Sequence, residues 1–172
     1  MNQSNQRKEF QSFKLCPIKV FETFQMSIPS FLQELSADEK SLSFPASIAD
    51  KIWIACNEHK DMLLQVTCLD ANPLTLKIED IFQQTCLQMR RITPGFQLFG
   101  HGTKMVSKIT VACMNYKSHT INNDNYNILF MFSICKKSFS ANFSAPLIYQ
   151  NEWTRLFLLM IDTLQQIDCE TE

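Results

Sequence analysis

The sequence predicts an α+β fold: an antiparallel β-meander sheet packed by helices, with a long C-terminal amphipathic helix. Three observations predict it. Four strand-like runs follow one another from Phe96 to Leu147, a helical stripe precedes them from Ile78 to Arg91, and a second stripe closes the chain from Trp153 to Ile167. Residues 1–15 are expected to form a flexible polar arm, and residues 16–172 a single α+β domain.

Taken in order, the arm is rich in Asn, Gln and Ser with a few basic residues. "CPIKVFETFQM" then places Ile18 and Val20 in alternation, as a strand requires. "IPSFLQEL" suggests a helical turn or two opened by Pro29. Ser36 and Glu39 have capping-box spacing, although no long periodic run follows them. From Ala46 to Lys60, Ile48, Ile52 and Ala55 share one helical face with Trp53 and Cys56 beside them, which predicts a short amphipathic helix.

"MLLQVTCLD" and "LTLKI" read as two strands separated by the turn Ala71-Asn72-Pro73. In "IEDIFQQTCLQMRRI", Ile78, Ile81, Phe82, Cys86 and Met89 recur at helical spacing. Acids lie early and Arg90 and Arg91 late, as the helix dipole favours. Thr93-Pro94-Gly95 stops that helix. The meander follows as "FQLFG", "KMVSKITVACMNY", "NILFMFSICKK" and "SFSANFSAPL", with Gly100-His101-Gly102 expected to turn the first run into the second. Ile109, Val111 and Cys113 alternate with Lys108, Thr110 and Ala112, which predicts one buried face. "ILFMF" is apolar on both faces. That fits either a central strand covered from both sides or a contact surface. Asn151 is the expected N-cap of the closing helix, whose stripe is Trp153, Leu156, Phe157, Met160, Ile161, Leu164 and Ile167.

Composition narrows the function. Hydrophobic residues make up 45% and charged residues 19% of 172, and the formal net charge is −1. No global field attracts nucleic acid or an anionic membrane. Only three glycines are present, where ordinary usage of ~7% would give about four times as many. Loops that cradle phosphates or cofactors need glycine's conformational freedom, so few can be built here. Seven cysteines include no C-x-x-C pair, and no apolar leader precedes them. They are expected as reduced thiols in a nuclear or cytoplasmic, intracellular protein whose sequon at Asn142 stays unmodified. No apolar run approaches the ~20 residues of a membrane span.

Each candidate chemistry fails on its context. Gly95 and Gly100-His101-Gly102-Thr103-Lys104 approach a phosphate loop, but His101 and Gly102 replace the Lys-Ser/Thr pair, and a helix precedes where a strand is needed. Cys56 and His59 have Cys-x-x-His spacing with no second tight pair to complete a zinc site, and Cys113 with His119 does not supply one. No cysteine stands in an electropositive turn suited to a nucleophile. Glu79-Asp80 and Asp38-Glu39 are adjacent residues and do not face each other. No catalytic residue, metal or cofactor is expected.

Basic residues Arg90, Arg91, Lys104, Lys108, Lys117, Lys136 and Lys137 interleave with Phe96, Phe99, Tyr116 and Tyr126. Such a pattern could stack single-stranded nucleic acid, which is possible but not favoured. The favoured reading is a non-enzymatic protein–protein interaction module, a subunit or adaptor of a larger complex that binds protein partners or itself. Its expected interface is the closing helix at Trp153, Phe157, Leu158 and Leu159, then the strand Leu129, Phe130, Met131 and Phe132. Surplus apolar surface must be covered by a partner, or enclosed as a cavity for an apolar ligand. A meander closed by an amphipathic helix is similar in outline to pleckstrin-homology-like domains and to small α+β modules of chromosome and kinetochore complexes. No motif carries that likeness, so it assigns no residue a role.

Overall fold

The computed structural model describes residues 13–45, 49–69, 78–121 and 123–167. A seven-stranded antiparallel sheet organises them, in the order β3-β4-β5-β9-β8-β7-β6. Its strands are β3 (Gln33–Glu34), β4 (Ile52–Cys56), β5 (Leu63–Leu69), β6 (Gln97–Val106), β7 (Ile109–His119), β8 (Asp124–Ile134) and β9 (Lys137–Pro146). A smaller sheet joins β1 (Leu15–Val20), β2 (Phe24–Pro29) and β10 (Gln165–Gln166) in the order β1-β2-β10. Helix α1 covers Ala37–Ser43, α2 Ile78–Ile92 and α3 Gln150–Ile161.

The inner strands of the large sheet are covered on both faces. Helix α2 lies on one, where Ile78 and Phe82 meet Ala112, Met114, Tyr116, Leu129 and Met131. The small sheet and α3 share the other, where Phe24 packs edge-on to Phe132 and Phe139 at 5.1 Å and Phe130 meets Phe157. Strand β8 is third from the β6 edge, with β9 and β7 paired on its two sides. Leu129 and Met131 therefore turn toward α2, while Ile128, Phe130 and Phe132 turn toward α3. The two-faced "ILFMF" run is a covered central strand, and Leu129, Phe130, Met131 and Phe132 are all buried.

Several expectations are corrected. "IPSFLQEL" is not helical: β2 runs through Pro29, a turn closes from Leu32 N–H to Pro29 O at 2.9 Å, and β3 follows. Ile52 to Cys56 form β4 instead of a helix. All five are buried, and burial on both sides favours the branched and aromatic side chains of "IWI" in a strand. Residues 46–48 of that expected helix, the turn at 71–73 and the run at 74–77 lie outside the described residues. Of the expected arm, Leu15 already belongs to β1, and Lys14 O accepts from Ser30 N–H. Gly100-His101-Gly102 is no turn, because β6 runs straight through it.

The true turn is Ser107-Lys108, which splits "KMVSKITVACMNY" between two strands. These two residues take φ of 46° and 70°, and Cys135-Lys136 repeats the device at 51° and 59° between β8 and β9. Two-residue hairpins need left-handed backbone to match the sheet twist, whatever residues must adopt it. The closing helix is shorter than expected, 12 residues, and begins after a 3-10 turn at Leu147–Tyr149. Tyr149, not Asn151, holds the N-cap position. Leu164 is buried beyond the helix, and Gln165 pairs with Gln25 of β2.

Other readings carry over directly. Ser36 and Glu39 form a full capping box on α1, and α2 ends at Ile92 before Gly95, whose φ is 62°. The expectation of reduced thiols fails at Cys135, which is disulfide-bonded, while Cys16, Cys56, Cys68, Cys86 and Cys113 are free.

Candidate functional site

The two edges of the large sheet are treated differently. Edge strand β3 has two residues, and Glu34 pairs with Lys40 of α1 at 2.8 Å. Short, charged edges resist pairing with other chains. Edge strand β6 is ten residues long and mostly exposed. Among the described residues nothing hydrogen-bonds its outer side.

Its register shifts between Leu98 and Gly100, so Phe99 is an extra residue in a β-bulge. Leu98 lies opposite Tyr116 and faces α2. Phe99 stacks on Tyr126, on the α3 side, with centroids 5.9 Å apart. Beyond the bulge, Gly100, Gly102 and Lys104 oppose Asn115, Cys113 and Val111 and face α3. His101, Thr103 and Met105 oppose Met114, Ala112 and Thr110 and face α2.

The three glycines have separate reasons. Gly95 is required twice over: its φ is positive, and a Cβ there would stand 1.8 Å from the His119 ring. At Gly100 a Cβ would come 3.0 Å from Asn115 Oδ1, a tight contact beside the bulge. At Gly102 a Cβ would meet nothing within 4 Å, and no positive φ is required. Glycine inside a strand weakens it and often marks a bulge, a bend or a place where a ligand or another backbone comes close; the bulge accounts for Gly100 and leaves the last reading for Gly102.

The missing side chains leave a groove. Between β6 and α3 it holds about 380 Å³, with Gly100, Gly102, Val111, Cys113, Phe157, Leu158 and Ile161 among its walls. Lys104 crosses one end to pair with Asp162, just past α3. A second groove of about 570 Å³ runs on the opposite face, between β6 and α2. Phe82, Cys86 and Leu87 line it with Leu98 and His101, and Glu79 and Arg90 lie along it. Both grooves open beside the same stretch of strand, residues 101–103.

The expected interface residues divide sharply. Trp153 is fully buried, stacked on Phe143, and Phe157 is 6% exposed. With Leu129 to Phe132 inside the sheet sandwich, six of these eight residues belong to the core and offer no free surface. Leu158 (47% exposed) and Leu159 (46%) are accessible, and Leu158 borders the α3-side groove. Reasoning from sequence weighed His101, Gly102 and Thr103 only as a phosphate loop or a turn, and passed over Leu87 and the backbone of β6. Their signal was G-x-G within an alternating run, which is a strand pattern with two side chains missing from one face.

The other candidate chemistries are not assembled. Tyr116 and Tyr126 are buried, and Phe96 and Phe99 stack on them, so these rings face each other instead of a shared open platform. Lys117 pairs with Asp124 at 2.7 Å. Burial pushes the thiols of Cys56, Cys86 and Cys113 up, away from thiolate. Burial likewise pushes the Tyr116 phenol up to about 12. Among the described residues no three His, Cys, Asp or Glu side chains converge as metal ligands, and no helix is long and apolar enough to cross a membrane.

No protein-family model and no curated protein matches the sequence. Solved structures do match in shape. CyanoP, the cyanobacterial PsbP of Synechocystis sp. PCC 6803, aligns over 89% of this chain and 92% of its own, with a TM-score of 0.63 and 10% identity. LpqN of Mycobacterium tuberculosis, involved in cell envelope biogenesis, aligns over 91% and 92%, at 0.53 and 10%. A Pseudomonas aeruginosa protein of unknown function aligns over 86% and 96%, at 0.52 and 12%. The likeness is one of fold. At such identities it assigns neither activity nor partner to this chain.

Proposed function

We propose that the chain is a non-enzymatic protein-interaction module, a subunit or adaptor within a larger assembly. Its contact surface is the open edge of β6 with the groove between that strand and α3. One observation carries the reading: Gly102 leaves an apolar-walled groove that neither backbone conformation nor packing demands. Exposed Leu158 extends the groove's apolar rim. The disulfide at Cys135 supports work in an oxidising compartment, in place of the reducing interior expected from the sequence.

The test compares partners recovered by the wild-type chain with those recovered by Gly102→Val and Leu158→Asp, after circular dichroism shows all three folded. Loss of the same partner from both variants is the expected result. Partners retained equally by both variants would remove the β6–α3 groove as the contact surface.

A further inference from the structure

Resting on that reading, we infer that the β6 edge takes a single extended segment of another protein as an added strand. This segment carries large apolar side chains at alternate positions on its α3 face and an acidic side chain on its α2 face, beside Arg90.

The two grooves decide between a strand and other shapes. They lie on opposite faces of the same edge, and both are walled by Gly100-proximal residues, from Gly100 to Lys104 on one side and from Leu98 to Thr103 on the other. Successive side chains of a strand point to opposite faces, so a strand hydrogen-bonded to β6 sends alternate residues into each groove. A helix or a flat protein surface could occupy only one. The α2-side groove runs from Glu79 to Arg90, about 16 Å along a helix, which matches roughly five residues of extended chain.

Charge sets the occupant's α2 face. Arg90 and Glu79 stand toward opposite ends of that groove, and neither has an ion-pair partner among the described residues. Their sequence order places Arg90 near the turn into β6. An acid reaching Arg90 at that end, and a polar or basic residue toward Glu79, complement the groove. The α3 side is walled by Val111, Cys113, Phe157, Leu158 and Ile161, and asks for apolar bulk.

A second copy of this chain fits worse. Antiparallel pairing of two β6 strands about a two-fold axis keeps the same faces up in both copies. Registered on the glycines, it would lay Gly100 and Gly102 of one copy beside the α3-side groove of the other, bringing no side chain to fill it, and would bring His101 and Thr103 to the α2 side, with no acid for Arg90. A foreign strand brings that bulk.

The probe is a phage-displayed library of random 12-residue peptides, selected against the full chain. The expected binders alternate apolar and polar residues with one Asp or Glu, and they slow amide hydrogen exchange in β6. They lose at least tenfold in affinity for Gly102→Val, whose side chain enters the groove. Arg90→Glu weakens them and is rescued when the peptide acid is replaced by Lys. Binders that leave β6 exchange unchanged and bind Gly102→Val as well as wild type overturn strand addition, while the interaction-module reading stands on its partner experiment. No binder above the Gly102→Val background overturns it as well.

Discussion

Phe143 of β9 and Trp153 of α3 stack nearly parallel, 8° apart with ring centroids at 3.8 Å, and both are fully buried. This stack fastens α3 to the sheet and fixes which of the helix's apolar residues look inward. Trp153→Ala should cost about 3–5 kcal/mol, the range for truncating a large buried aromatic, and lower the urea midpoint accordingly.

The same orientation separates two neighbours. Phe157 lies against Phe130 with centroids 5.2 Å apart, so Phe157→Glu buries a charge and should destabilise by on the order of 4 kcal/mol. Leu158 faces outward, and Leu158→Glu should change stability by no more than about 0.5 kcal/mol. Thermal melts of the two single variants distinguish them. Equal losses would contradict the helix orientation.

Gly102→Val should make the protein more stable. A Cβ at this position finds open space, and replacing an interior strand glycine recovers about 0.5–1 kcal/mol. A raised melting temperature together with weaker peptide binding is the expected pair of outcomes.

The Ser107-Lys108 turn holds two ordinary L-residues at positive φ, each strained by about 1–2 kcal/mol relative to glycine. Ser107→Asn with Lys108→Gly supplies the dipeptide such a turn prefers. Chemical denaturation should show a gain of about 1 kcal/mol or more.

Acid stability has a local source. The Lys60 ammonium, bonded to Glu39 at 3.0 Å, and then the Ser36 backbone N–H lower the Glu39 carboxyl from 4.5 to about 2. Because the folded value is depressed, the contribution is present above the unfolded value. It is lost as pH falls from about 4.5 toward 2. Glu39→Gln should lower the melting temperature near neutrality and flatten its decline across that window, so that variant and wild type converge toward pH 2. Added salt should shrink the wild-type effect, since the pair is exposed.

Legibility from sequence followed whether a residue's partners were local. Helix α2 was readable because its periodicity, end charges and Pro94-Gly95 stop lie within one segment. Strand β4 was misread because "IWIAC" is buried on both faces, and a run without alternation carries no period to separate strand from helix. The β6–β7 turn was misplaced because glycine was taken as the signal for positive φ, while the sheet put Ser107 and Lys108 there. The site was hidden for a related reason. An empty position on a strand face is visible only once α3, far along the chain, is seen passing over it.

Strand β10 ties residues near position 165 to Gln25 of β2, a separation of 140 positions. On a ribosome moving at about 5–20 residues per second, the N-terminal hairpin would wait roughly 7–28 s for that strand. The apolar face of β1–β2 waits as well, because Phe132 and Phe139, which pack on Phe24, are also made late. The order of synthesis thus leaves the small sheet waiting longest for its last strand.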